Sequence, residues 1–592
     1  MFLRIVKAAG GRGVQHEYVR LVEAYREHGK NKQRVVSNLG RKDLLAAHLD
    51  SLVRLLRGEP CATIPVRAGR IEATEAADWG PMLVAWTLWR ELGLEQLLAR
   101  LGGRGQPDGP ALSDRALVLV ANRLCAPTSE HGLARWLETD FVCDRRGRRW
   151  LPEWRDEAER RASRLPRVRV AFRQLKQWYR TLDQLYARKA TLERELYLRL
   201  RDLFSLKVDL VLYDLTSTYF EGQGPPGLGA HGHSRDGKPR NRQVLVGLVM
   251  VDDWPIAHHL FRGNARDAMT VPQVLADLEQ RFGLRRVVFV GDRGMVTADN
   301  LALLRAREQG YLVGLSRRRR PAITRYIERA TGPWTECPLG KAAQEKLTAP
   351  KTYVQEVAAD QPGVRVFIVK SEERLAYERT ERLKAMERVR TALEALQRRV
   401  QQGKLKAPDK IGAAAARILS RHHGSRYYRW EYTEGRFRFF EHPVHLKREE
   451  ALEGIYVIQT TEPHLTPVQA VALYKGLSEV ERAFANLKDV IEMRPIYHQT
   501  DRRVAAHIFV AALAFLLHRA VEKKLKAAGL DLSATEALQA LRTVRVVDFT
   551  LGAGQTKRSV TRGTARAARI LGALGIAQLD PPTPPKAAAM VM

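Results

Sequence analysis

Five apolar runs between Val208 and Leu315 set the fold of this chain: Val208–Tyr213 (VDLVLY), Val244–Val251 (VLVGLVMV), a shorter one near Ile256–Phe261, Val287–Val290 (VVFV) and Tyr311–Leu315 (YLVGL). They are crowded with β-branched and aromatic residues, the composition of strands. VLVGLVMV shows no polar alternation, so it reads as a strand buried on both faces. Helical stretches follow at Thr270–Phe282 and at about Ala298–Gln309. A strand-rich start that passes into strand and helix alternation predicts the α/β class, a mixed sheet flanked by helices.

Two of these runs end in a carboxylate. Asp214 closes VLYD, and Asp292 closes VVFVGD. Open α/β sheets place their sites at the carboxyl ends of strands. Alone, a strand-ending Asp equally well accepts turn hydrogen bonds. On neighbouring strands, however, the two carboxylates would converge. Like charges at close range raise one pKa unless a cation neutralises them, and a hard divalent metal prefers such oxygen ligands.

A helix offers a third carboxylate. Thr466 is an N-cap, Pro467 the first helical residue and Gln469 the third, and the helix is predicted to run to about Asp489. Leu477, Val480, Phe484, Leu487 and Ile491 form its packing stripe, and Glu481 adjoins it. Tyr474 lies seven residues before Glu481 and Lys488 seven after, so one continuous helix would present all three along one edge. An ordinary amphipathic helix with boundary charges fits the same spacing. Glu479, Asp489 and Glu492 are rival carboxylates nearby. Three carboxylates suit two Mg²⁺ or Mn²⁺ ions about 3.5–4 Å apart, the arrangement for in-line phosphodiester hydrolysis and strand transfer. Lys488 and Arg293 would then contact phosphate oxygens.

Charge supports a polyanionic partner: Lys and Arg total 99 against 66 for Asp and Glu, a net of +33. A uniformly arginine-rich surface is the plain alternative, and the run Arg317–Arg320 fits either. Cys61, Cys125, Cys143 and Cys337 share no CxxC spacing, which argues against a zinc finger and a disulfide framework. Val504–Leu517 is short for a membrane span and is interrupted by His507, so a buried helix is expected. No signal peptide is read, and a cytoplasmic, nucleoid-associated protein without membrane contact is expected.

These residues resemble the DDE transposases of bacterial insertion sequences, in the cut-and-paste group whose third motif is Tyr, two residues, Arg, three residues, Glu, six residues, Lys. Tyr474, Glu481 and Lys488 hold those places, and Leu477 stands at the Arg place. DLTSTYFEG looks like the first Asp region and VFVGDRGM like the second. HSRDGKPRNRQVLVGLVM and FRGNARDAMT look like the segments between them, RPIYHQTDRRVAAHIFVAALAFLL like the stretch after the Glu, and FLRIVK to RVVSNLG like the opening of the group. The resemblance implies a ribonuclease H-like core that holds Mg²⁺, or Mn²⁺ as a substitute, on Asp214, Asp292 and Glu481. It also implies a homodimer in a synaptic complex, acting on double-stranded DNA at terminal inverted repeats and on target DNA.

On that basis 1–60 is a small basic strand-rich segment and 61–205 a mainly helical region, including a helix over Arg180–Arg201, for binding DNA ends. The catalytic domain spans 206–316 and 462–530, the latter with a buried helix of about Arg502–Leu525. An inserted subdomain fills 317–461, and 531–592 forms a C-terminal region and tail. The insertion is expected to contain a strand at 364–370, a largely solvated charged helix of roughly Ser371–Gln401, two aromatic strands and a strand at 454–460. Trp334 and Trp430 are candidates for stacking on a displaced base, or core residues.

Other signals carry less. Gly232–Pro239 nearly fits a phosphate loop, but Pro239 replaces the needed hydroxyl. Its Arg235 and Lys238, with Arg240 and Arg242, read as a basic loop at DNA or as a solvated surface. His258 and His259 are adjacent and cannot share a strand face for zinc. His507 reads as a core histidine before a base. Against the transposase stand a metal nuclease that cuts without joining, a decayed DNA-binding protein, and a nucleic-acid-binding protein inferred from charge alone.

Overall fold

The computed structural model describes residues 2–9, 15–27, 29–45, 71–102, 110–151, 168–204, 210–315, 321–338, 349–421, 423–551 and 555–582. Cys61, Arg317–Arg320 and the end of the tail lie outside them. The chain forms two compact units, 1–77 with 545–561, and 78–544 with 562–592.

In the first unit β1 (Phe2–Ala9), β2 (Gln15–Glu27) and β3 (Lys30–Arg41) form an antiparallel meander. Val19 and Val22 are its buried apolar residues. The stretch HEYVRLVEAYRE is all strand. β4 (Ile71–Asp78) belongs to a second three-stranded sheet.

The second unit is built on a nine-stranded mixed sheet. Its centre holds β5 (Leu210–Tyr219), β6 (Gln243–Val251), β7 (Trp254–Arg262), β8 (Val288–Gly291) and β9 (Gly310–Leu315), in the spatial order β7-β6-β5-β8-β9. β5, β6 and β7 are antiparallel neighbours, while β8 and β9 run parallel to β5. Every residue of β6 is buried, as its unbroken apolar run requires. This order and flanking by helices make a ribonuclease H-like core.

The sheet does not stop at β9. β10 (Thr335–Glu336), β11 (Thr352–Val357), β12 (Arg365–Ser371) and β15 (Ile455–Thr460) extend it in the order β9-β15-β12-β11-β10. The stretch 317–461 is therefore not a wholly separate insertion, because its strands β12 and β15 bury their apolar residues in the main sheet. What leaves the sheet is the segment between β12 and β15. There the helix Glu372–Gln401 is N-capped by Ser371, packs on the helix Pro408–Arg421 and covers the hairpin β13 (Tyr428–Thr433) and β14 (Arg436–Glu441). Its apolar residues are few but regular. Met386, Val389, Leu393, Leu396 and Val400 recur at alternating spacings of three and four and are buried in one satellite core. The remaining faces carry the charges.

Two helices stand where one was expected over Arg180–Arg201: Val168–Tyr186 and Lys189–Phe204. The Arg188 guanidinium turns back on the carbonyls of Gln184 and Leu101 at the break. The helix Asp501–Ala527 is buried as expected, with 94% of its most apolar window inside the protein. It is the one helix among the described residues long and apolar enough to cross a membrane. β16 (Arg545–Leu551) and β17 (Gln555–Val560) complete the sheet of β4 in the first unit.

Leu393 is fully buried in the satellite core. Leu393→Ala is expected to destabilise that core by about 2–5 kcal/mol. Hydrogen exchange should speed up over 372–441 and stay unchanged in β5 and β8.

Candidate active site

Strand register brings the first two carboxylates together. β5 and β8 pair in parallel with Leu210 opposite Val288 and Leu212 opposite Val290. Two further residues along each strand set Asp214 level with Asp292, on the same face and one strand spacing away, about 4.8 Å. β8 and β9 pair with Gly291 opposite Val313, so one further step sets Gly314 level with Asp292.

Gly314 leaves room for a phenol. A Cβ there would lie 2.1 Å from the Tyr474 hydroxyl oxygen. The Tyr474 ring packs 5.9 Å from that of Tyr456. Burial, and then the nearby Asp292, push the Tyr474 pKa above its ordinary value, so the phenol keeps its proton.

Glu481 comes from above. The helix Leu477–Ala485 buries Val480, Ala483 and Phe484 and packs on β5. Asp214, Asp292, Tyr474 and Glu481 line one cavity of about 390 Å³, together with Arg293, Arg374, Tyr456 and Lys475. Burial chiefly, with Asp292 and Glu481 adding to it, pushes the Asp214 carboxyl up to about 7. The Leu215 amide, 2.7 Å from Asp214 Oδ1, and the Arg235 charge oppose that shift. Arg293, Arg374 and Lys475 face the three carboxylates across the cavity. Its donors are carboxylate oxygens, and neither histidine nor cysteine lines it, a set that fits a hard divalent cation.

The continuous helix expected from Thr466 to Asp489 is in three pieces. Thr466 and Gln469 form the predicted capping box, and the first piece is Pro467–Lys475. At Gly476 the winding tightens, with the Glu479 amide donating to the Gly476 carbonyl. After Ala485 the chain widens into a π turn, Asn486–Val490. Lys488 lies in that turn. Its position two α turns after Glu481 is lost, and its ammonium donates to Asp236 Oδ1 at 2.7 Å instead of lining the cavity. Burial lowers the Lys488 pKa, and Asp236 opposes that shift.

The basic loop divides. Arg235 pairs with Asp267 at 2.8 Å, and its amide donates to Ser217 Oγ at 2.9 Å. The Lys238 ammonium lies 5.9 Å from the centre of the Tyr219 ring, Arg240 is exposed, and Arg242 donates to the Gln223 carbonyl. Trp430 stacks on Phe437 against the satellite core, and Trp334 lies under the Lys370 ammonium. Arg374 and Tyr456 reach the cavity from the region read as inserted. No spacing in the sequence announces them, because they arrive through the pairing of β15 with β9 and the first turn of the helix after β12.

Histidines cluster elsewhere. Glu130 lies 3.6 Å from His498 Nε2 and 3.9 Å from His507 Nδ1. Arg123 already supplies a cation there, 3.3 Å from His507 Nδ1, and His507 Nε2 is 3.0 Å from the Met493 carbonyl. His507 is buried in the core, as expected of it.

The Transposase DDE domain family matches residues 210–517, and the IS1634 family transposase N-terminal domain matches residues 3–62. Curated proteins gave no match. Among solved structures, a piggyBac transposase synaptic complex with hairpin DNA is similar at 9% identity and a TM-score of 0.32, covering 79% of this chain and 82% of that one. With more than half of its length matched by the catalytic domain, the chain belongs to the DDE transposases of insertion sequences.

Proposed function

We propose that this transposase acts on double-stranded DNA at terminal inverted repeats, hydrolysing a phosphodiester bond at each end and transferring the freed 3′ strand into target DNA. The alignment of Asp214 with Asp292 beneath Glu481, around one cavity, carries the proposal. These three carboxylates would hold Mg²⁺, or Mn²⁺ in its place. When bound, the metal supplies Lewis-acid stabilisation of charge on the scissile phosphate.

The chain's own groups do the rest. Tyr474 keeps its proton and donates it in a hydrogen bond to a phosphate oxygen at the cavity. Arg293 and Arg374 offer guanidinium groups to the non-bridging oxygens. Lys488, through Asp236, ties the connection between β5 and β6 to the end of the Glu481 helix. Lys238, Arg240 and Arg242, with Arg235 behind them, follow the strand and carry no base selection. The helical region between 78 and 204 is the candidate holder of the repeat. Two copies would pair the two ends.

Glu481→Gln is expected to cut cleavage and joining by ~10²–10³-fold while binding of a terminal-repeat duplex persists. Unaffected cleavage would mean the third carboxylate lies elsewhere. Cutting without joining in the wild type would make the protein a nuclease, and binding without cutting a decayed transposase.

Gly314→Ala drives a methyl group into the Tyr474 hydroxyl. Cleavage should fall by up to ~10²-fold through misplacement at the cavity. Adding Tyr474→Phe should restore packing, seen as a recovered Tm, without restoring the rate.

Metal binding should depend on pH in a defined direction. Asp214 rises from 3.8 in the unfolded chain to about 7 in the folded one. Its protonated form therefore contributes stability below about pH 4 that is lost as pH rises through 7. Mg²⁺ competes with that proton, so the Tm gain on adding Mg²⁺ should be larger at pH 8 than at pH 6, as measured by differential scanning fluorimetry.

A further inference from the structure

The connection between β5 and β6 carries two neighbouring residues that tie together the elements bearing all three carboxylates. Arg235 reaches one way. Its amide donates to Ser217 Oγ, three residues after Asp214 on the same strand, and its guanidinium pairs with Asp267. Asp267 in turn lies against Gly294, where a Cβ would meet its Oδ2 at 3.2 Å, two residues after Asp292. Asp236 reaches the other way. Its Oδ1 accepts from Lys488 at 2.7 Å, in the π turn after the helix that bears Glu481, and from Arg494 just beyond that turn. The Asp236 side chain is 2% exposed, and its Oδ2 is buried without a hydrogen-bond partner among the described residues.

A carboxylate in such a place is not ordinary loop decoration. Burying it without its cations would be costly, so the loop and the helix end stay in register only while Lys488 and Arg494 remain on it. The π turn takes Lys488 out of α-helical register with Glu481, and its ammonium meets Asp236 there. The geometry points to Asp236 as a positioning residue for the transposition reaction: it sets Lys488 and the end of the Glu481 helix against the strand of Asp214. Asp236 touches neither the cavity nor the reacting atoms, and acts through Lys488. This inference rests on the metal-dependent reading of the cavity given above.

Full-length wild type, Asp236→Asn, Lys488→Met and the double variant would be compared on a terminal-repeat duplex in single-turnover cleavage with saturating Mg²⁺, alongside Glu481→Gln. Asp236→Asn is expected to lower the single-turnover rate constant at least tenfold with duplex affinity within twofold of wild type. The double variant should fall no further than twofold below the slower single. A purely structural role would reduce the fraction of protein that reacts and leave the rate constant alone, which overturns the proposal. So would a wild-type rate in Asp236→Asn or Lys488→Met, or multiplicative losses in the double variant. If Asp236→Asn does not fold, Asp236→Glu takes its place. It keeps the charge, shifts it by one methylene and should also slow the rate constant, whereas a wild-type rate overturns the proposal. Normal cleavage by Glu481→Gln would instead sink the underlying reading of the cavity, whatever the Asp236 variants do.

Discussion

The parallel pairing of β5 with β8 is the constraint on which the site depends. It sets Asp214 and Asp292 about one strand apart on one face, two residues beyond the last ladder pair, Leu212 with Val290. The cost appears in Asp214, whose carboxyl is driven to about 7 by burial and by its neighbours. A folded chain tolerates that only where a ligand repays it or where a proton fills the gap. The repulsion is therefore a property of the sheet itself, and Glu481, brought over β5 by a separate helix, adds to it.

What surrounds the pair is shaped by absences of side chain and of regular winding. Gly314, level with Asp292, lets the Tyr474 phenol occupy the space a methyl group would fill. The tightening at Gly476 separates the Tyr474 helix from the Glu481 helix, yet both side chains still reach one cavity. The π turn that follows does the reverse, taking Lys488 away from the cavity and onto Asp236.

Local chemistry explains what was legible in the sequence. Asp292 just after β8, a capping box before a packing stripe and an unbroken apolar β6 each follow from the residues on the spot and stand in the structure, whereas β5 runs on to Tyr219 and leaves Asp214, read as ending its strand, in mid-strand. The position of Lys488 was not legible, since counting seven residues as two turns assumes α winding throughout. Nor was the reach of the sheet. β15 pairs with β9 across more than a hundred residues of sequence, and β12 then joins β15. Such non-local pairing leaves no periodic trace. It brought four short strands of a supposed insertion into the main sheet, and it delivered Arg374 and Tyr456 to the cavity unannounced.

That topology has a mechanical consequence. The satellite helices leave the sheet from β12 and return to it at β15, and both strands are held in the main ladder. Both ends of the satellite are therefore fixed at the sheet, close to the cavity. Arg374 lies in the first turn of the departing helix and Tyr456 on the returning strand, and both line the cavity. A cation and an aromatic ring thus stand at the two points where the satellite joins the core. The satellite is thus joined to the carboxylate cavity through two short, ordered connections instead of a flexible tether.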